Sequence, residues 1–507
     1  MMTPLLANRF VIALPPLWLL GMGALVAAIL AVACYGLAVL CVRLAGASSS
    51  RILRLTNEAR ASLTDGFLGP LAWLLLAMAA VALAATPAVP VRAIGRSLAR
   101  LWSSDRVVTT KAVPVGSEAT KILLNPRAQE IDEISLSSNG PHLIRSHKPI
   151  DGFALVTVPE IELLSKRPWK WTRGQGEESP FLGIRAELEA FNAGSESVDL
   201  TIATRVRPEF PQVAILPWTA VSFAGIIAAY LAFRLAARRT AAIASATAKE
   251  AIAQPIFGVT LTLGIVFLLA NVVIPYNTFG DDVKILKDSG LTLVKVLALV
   301  VGVWTASVAV ADEIEGRTAL TVLSKPLTRR GFFLGKYAGL VLVVTLLVLV
   351  LGAVLLGTTS IKVVYDARES AKEDPLWRDC ASEMITVVPG LVLCLFEAIV
   401  LASISLAVST RVGLVPNLVI TFGVYVLGHL VPLLVQSSVG KFAIVRFFGQ
   451  LVATLLPVLD HFTIEAAVMG GTPVPWSYLA WAGLYAGLYA TVAILVGLLL
   501  FQERDLA

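Results

Sequence analysis

Apolar residues run through this chain in long unbroken blocks, separated by shorter polar stretches. A block of about 20 apolar residues crosses a bilayer as a helix, the simplest structure that satisfies its own backbone there. Nine blocks meet this length, near residues 17–42, 67–88, 214–236, 256–276, 291–311, 336–357, 386–408, 413–434 and 478–501. A tenth run, "AIVRFFGQLVATLLPVLD" from Ala443, is interrupted by Arg446, Gln450 and Pro457 and reads as half-helices or an interfacial helix. The first block is longer than a signal-peptide core and no clean small-residue cleavage site follows it, so it reads as a retained span.

Between the second and third blocks the pattern changes. Residues 91–212 are hydrophilic, and "FALVTVPEIELL", "GIRAELEAFN" and "VDLTIATRVRP" alternate apolar and polar positions, with "NAGSES" as a turn between the last two. Alternation with period two predicts half-buried strands, hence a small β-rich domain of sandwich type. The expected fold is an all-α polytopic membrane protein with about nine transmembrane helices and an inserted β-rich extracytoplasmic domain. Its divisions are 1–90 (two spans), 91–212 (β-rich), 213–237 (a third span) and 238–507 (six spans).

Composition sharpens the class. Of 507 residues 57% are hydrophobic and only 15% charged, against roughly 25% charged in soluble domains. The formal charge of +6 is spread without a basic block, so nucleic acid is not an expected partner, whereas membrane lipid is. Cys34, Cys41 and Cys394 fall in apolar runs and Cys380 stands alone, which indicates packing and neither a disulfide framework nor a thiolate site.

Lys and Arg in short loops set orientation. Arg43, Arg51, Arg54 and Arg60 follow the first span, Arg234, Arg238, Arg239 and Lys249 follow the third, and Arg317, Lys325, Arg329, Arg330 and Lys336 follow the fifth. These loops are expected in the cytoplasm, while Asp366, Glu369, Glu373, Asp374 and Asp379 mark an external one. The N-terminus and the β-rich segment are then outside and the C-terminus inside, in a cytoplasmic (inner) membrane. Arg92, Arg96 and Arg100 depart from the rule, although long translocated domains are largely exempt. Their spacing of four predicts one face of a short surface helix.

The wettest connector is "ADEIEGRTALTVLSKPLTRRGFFLGK", residues 311–336. Asp312, Glu313 and Glu315 would each cost roughly 2.5–3.5 kcal/mol at the bilayer centre, so the fifth span ends near Ala311. Ala319, Leu320, Val322 and Leu323 give a short helix one apolar side, and Pro326 stops it. Thr328 is placed to cap the next helix, with Arg329 and Arg330 at the headgroups and Phe332 and Phe333 at the interface. The physics alone also permits a plain hydrophilic connector.

The order of residues adds to that reading. "EIEGRTALTVLSKPLTRRGFFLGKYAGL" resembles the cytoplasmic loop of type-2 ATP-binding-cassette (ABC) permeases, the membrane subunits of ABC exporters. There a Glu, a Gly, an Arg-Thr pair, a Leu-Ser-Lys-Pro turn, an Arg and a Gly-Lys recur between the second and third spans of a six-span core. The likeness extends from about Arg238 to Ala507 and includes "LAVSTRVGLVPNLVITFGVYVLGHL", "LLPVLDHFTI" and the ending "LLLFQERDL".

The resemblance implies a coupling loop at 312–335. Glu313, Glu315, Gly316, Arg317, Thr318, Ser324, Lys325, Pro326, Arg329, Arg330 and Lys336 would meet a separate ABC ATPase, and 238–254 would be an amphipathic connecting helix. It also implies a homodimer or paired permease, with ATP and Mg held by the partner and no cofactor on this chain. The first 237 residues exceed the minimal plan of that family.

Other chemistry has little support. "GFFLGKY" is one residue short of a phosphate-cradling loop and has Tyr337 where a Ser or Thr is needed. His142 and His147 are five apart with no nearby cysteine, so no metal site is expected; no G-x-S-x-G or H-E-x-x-H occurs, and no catalytic residue is assigned. Glu397, deep in "LVLCLFEAIVLASISL", either lines a pathway or bonds a neighbouring helix such as that of His429. Asn271 and Lys295 are expected to snorkel from span ends. A membrane-anchored envelope sensor or scaffold with a ligand-binding external domain is the alternative reading, and a membrane enzyme a third.

Overall fold

The structure is a computed structural model. It describes residues 11–44, 67–102, 106–138, 142–146, 160–163, 168–173, 180–181, 185–192, 197–274, 276, 281–309, 328–436 and 456–503, with positions 444, 447, 449 and 451. The chain divides into two compact units, Met1–Val89 with Ile215–Ala507, and Pro90–Ala214.

The first unit is helical. Its elements are α1 (Leu14–Leu44), α2 (Leu68–Ala85), α4 (Ile215–Ala236), α5 (Arg238–Ala253), α6 (Pro255–Val273), α7 (Asp282–Ser307), α8 (Arg329–Glu369), α9 (Trp377–Val408), α10 (Leu414–Gln436), α11 (Glu465–Met469) and α12 (Trp476–Gln502). Eight of the described helices are long and apolar enough to cross a membrane; α10 coincides with the expected 413–434 span, and its stretch Leu414–Leu430 is shorter than those eight. The run from Ala443 lies largely outside the described residues.

Three helices overrun the limits set by hydropathy. α7 begins at Asp282 rather than near 291, α9 at Trp377 rather than near 386, and α8 covers 41 residues rather than 336–357. At 1.5 Å per residue α8 is about 61 Å long, twice a hydrocarbon core of about 30 Å. The expected acid-rich loop is therefore partly helix: Asp366 and Glu369 sit on α8 and Asp379 on α9. α8 stops in a Schellman motif, in which Ala371 N–H donates to Arg368 O and Lys372 N–H to Ala367 O, with Ala371 at φ 51°. α11 ends the same way, with Gly471 at φ 67° in the left-handed position.

The second unit holds a short helix, α3 (Val91–Ala99), and eight strands: β1 (Arg106–Val113), β2 (Gly116–Arg127), β3 (Ile131–Ser138), β4 (His142–Ser146), β5 (Glu160–Leu163), β6 (Trp169–Thr172), β7 (Arg185–Asn192) and β8 (Val198–Val206). They form two antiparallel four-stranded sheets, ordered β1-β8-β3-β6 and β2-β7-β4-β5. Alternate residues point inward: Ile134 and Leu136 on β3, Ala186, Leu188 and Ala190 on β7, Leu200 and Ile202 on β8. These join Ile122, Ile144 and Trp171 in one apolar core drawn from both sheets, a sandwich. The 193–196 connection joins strands of opposite sheets, β7 and β8.

Candidate functional site

Of the residues assigned to the polar connector, Glu313, Glu315, Gly316, Arg317, Thr318, Ser324, Lys325 and Pro326 lie outside the described residues. Its end is described. The Thr328 hydroxyl accepts the Gly331 N–H at 3.1 Å and caps α8, as the Thr predicts. Arg329 donates to Gln502 O at 3.1 Å, which fastens the start of α8 to the end of α12, and Arg330 is exposed.

Lys336 is different from its neighbours. It is 4% exposed, with its ammonium 5.6 Å from the Phe332 ring, so it is a packed residue and not part of an exposed charged surface. Phe332 and Phe333 are likewise core residues rather than interfacial ones. Phe332 stacks on Phe501 and Phe333 meets it at a tilt, each with ring centres 5.9 Å apart, in a cluster with Leu340, Leu406 and Ile494. Aromatic pairs at such separations contribute about 0.5–1.5 kcal/mol beyond their burial.

α5 lies along this part of α8. Its Ala-rich sequence favours helix, and Ala241, Ala244, Ala248 and Ala251 form its buried stripe, while Arg238, Arg239 and Lys249 are exposed. Small residues on both partners let the backbones approach. A Cβ at Gly335 would stand 2.7 Å from Ile243 Cβ, and one at Gly339 would stand 2.7 Å from Ala244 O. Trp304 on α7 donates to Gln254 Oε1 at 2.9 Å, at the junction of α5 and α6.

Inside the helical unit, buried charges join helices distant in sequence. Glu397 on α9 is 1% exposed; His429 Nε2 on α10 lies 2.9 Å from its Oε1. Lys295 Nζ on α7 stands 3.8 Å from Oε2, an ion-pair distance beyond hydrogen-bond reach. The Tyr425 ring meets the His429 ring edge-on at 4.8 Å. Lys295 is buried rather than snorkelling, because its counter-charge sits on the neighbouring helix. Asn271 is also buried and donates to Ser289 Oγ at 3.4 Å.

Two more buried lysines were not singled out in the sequence. Lys287 on α7 donates to Glu383 on α9, to the Thr386 hydroxyl at 2.9 Å and to Val468 O at 3.5 Å. Lys362 on α8 pairs with Asp282 on α7 at 3.1 Å and donates to Val272 O and Ile274 O at 3.3 and 3.0 Å, with the Tyr276 and Tyr365 rings about it. The signal in the sequence is local for Lys362, which stands between Ile361 and Val363, whereas Lys287 lies in the mixed stretch "VKILKDSG" and gives none. A neutral counterpart lies nearer the other ends of the helices: Asn417 on α10 donates to Ser307 Oγ at 2.6 Å and Ser405 Oγ at 2.9 Å.

Isolated charges in a dry interior cost several kcal/mol each, and pairing offsets that cost without making the pair a large net gain. The arrangement therefore fixes relative helix positions more than it adds stability. It also flanks an open cavity of about 330 Å³ lined by Asp281, Lys284, Asp366, Lys372, Glu383 and Gly471. Among the described residues no group of acids, His or Cys is arranged to hold a metal ion. Compared with known protein families and with curated proteins, the chain matches none.

Proposed function

We propose that the chain is the membrane-spanning subunit of an ABC exporter of the type-2 permease kind, working with an ATPase on a separate polypeptide. The observation that carries this reading is the 311–336 sequence. Its charged residues are bounded by two membrane helices, α7 and α8, that also carry the buried ion pairs. Supporting it, the start of α8 is held by its Thr328 cap, by Arg329 on the end of α12 and by α5 at Gly335 and Gly339. Force applied at the start of α8 passes directly into a helix packed against α5 and α12.

On this reading the connector faces the cytoplasm, the β-sandwich faces outward, and the membrane is the cytoplasmic one. ATP and Mg belong to the partner, two permease subunits pair, and the chain itself carries no catalytic residue. ATP drives transport by favouring one of two arrangements, which requires that the partner bind them unequally.

The test is a pull-down of the detergent-solubilised chain from its host, comparing wild type with Glu315→Lys and Arg329→Glu, and assaying the eluate for ATP hydrolysis. A nucleotide-hydrolysing partner with wild type, lost in both variants, is the expected result. Well-folded wild type that retrieves no ATPase overturns the reading. It would favour the envelope sensor, for which the separate β-sandwich with its own core is the supporting observation.

A further inference from the structure

α3 is an amphipathic helix tied closely to the membrane by the chain itself. Only Val89 and Pro90 separate it from the turn Thr86–Ala88 that ends the second span, and Thr86 accepts a hydrogen bond from Trp18 Nε1 at 3.1 Å. Two intervening residues reach at most about 10 Å. On its other side α3 packs on the turn Pro211–Ala214, through buried Ile94 and Val213, and that turn continues without a break into the third span. Both chain connections from this unit to the spans therefore leave from α3 or from the turn it packs on.

The face that α3 leaves open is cationic. Arg92 and Arg96, one helical turn apart, are exposed, as are Val91 and Gly95 between and beside them. Neither arginine forms an ion pair among the described residues. Three acids of this unit are already engaged: Glu130 by Arg100, Glu209 by Arg127, Asp132 by Arg207. Arg100 is thus the anchor that locks α3 down, and Glu130 also accepts the Arg127 N–H at 2.8 Å. Just beyond the helix, Trp102 is 75% exposed, the residue type that settles at headgroup level.

We infer that α3 is a lipid-reading helix, in which Arg92 and Arg96 bind the phosphates of anionic phospholipids in the leaflet beside the sandwich. Guanidinium groups match phosphate geometry in two-point contacts, and basic residues flanking a span at the membrane surface gain affinity from anionic lipid. The positions also explain why three arginines follow a span directly: one builds the fold and two face the leaflet.

The test uses the full chain, delipidated in mild detergent and titrated with phosphatidylglycerol, phosphatidylcholine or inorganic phosphate, with bound lipid read by native mass spectrometry. The expected result is a preference for phosphatidylglycerol that falls about fivefold for each arginine replaced in Arg92→Gln and Arg96→Gln. The Arg92→Lys/Arg96→Lys variant should keep most of it. Gly95→Asp, at a position where a Cβ meets nothing within 4 Å, should weaken it without disturbing the fold. A preference unchanged in the double Gln variant, or inorganic phosphate bound as tightly as phosphatidylglycerol, would overturn the inference.

Discussion

His429 Nε2 lies 2.9 Å from Glu397 Oε1, and Lys295 stands at ion-pair distance from the other carboxylate oxygen, so a single buried acid joins α7, α9 and α10. Removing one member strands the others in a dry interior. Lys295→Met and Glu397→Met should each cost about 3–5 kcal/mol. The double variant should recover most of this, because no uncompensated charge remains. Unfolding equilibria in mixed micelles for the two single variants and the double check it; strict additivity would show that the residues do not interact.

Lys362 holds three pieces together: the last carbonyls of α6, Asp282 at the start of α7, and its own helix α8. Lys362→Met should cost about 3 kcal/mol by removing the buried counter-charge of Asp282. It should also speed amide exchange at the end of α6 and the start of α7 far more than at α12, which hydrogen-exchange mass spectrometry can localise.

The approach of α5 to α8 depends on the absence of a side chain at Gly339. Gly339→Ala places a Cβ against a backbone carbonyl, that of Ala244, which cannot rotate away. A loss of about 1–3 kcal/mol is expected from overpacking. Gly423→Ala is the control, since a Cβ there meets nothing within 4 Å and helix propensity favours alanine. Thermal unfolding of the pair distinguishes close packing from a general intolerance of glycine replacement.

The two Schellman motifs differ in one atom group. Ala371 occupies the left-handed position that Gly471 fills without strain. Ala371→Gly should therefore stabilise the chain by about 0.5–1 kcal/mol, and Gly471→Ala should cost about 1 kcal/mol. Opposite shifts in the unfolding midpoint are the expected outcome.

Much of this architecture could be read along the chain, and what could not has a common cause. The blocks of apolar residues locate the helices because a span needs no partner to declare itself. α7, α8 and α9 extend beyond their apolar blocks because hydropathy counts Asp282, Lys287, Lys362 and Glu383 each as a cost. Their partners, far along the sequence, cancel that cost. Lys295 reads as a snorkelling residue for the same reason: its carboxylate belongs to another helix. In the sandwich, alternation marks β7 and β8, but the pairing of β1 with β8 joins opposite ends of the domain, and no local pattern encodes it. The arginine spacing after the second span does announce a surface helix, though not that Arg100 alone turns inward to Glu130.

The length of α8 has a mechanical meaning. The helix contains no proline and runs unbroken for 41 residues, gripped by α5 near its start and by the Lys362 contacts near its end. A rigid rod of that length behaves as a lever: a tilt of about 5° about one end displaces the other by about 5 Å. A push at Gly339 would then be felt at Asp366, which lines the charged cavity near the far end of the same helix.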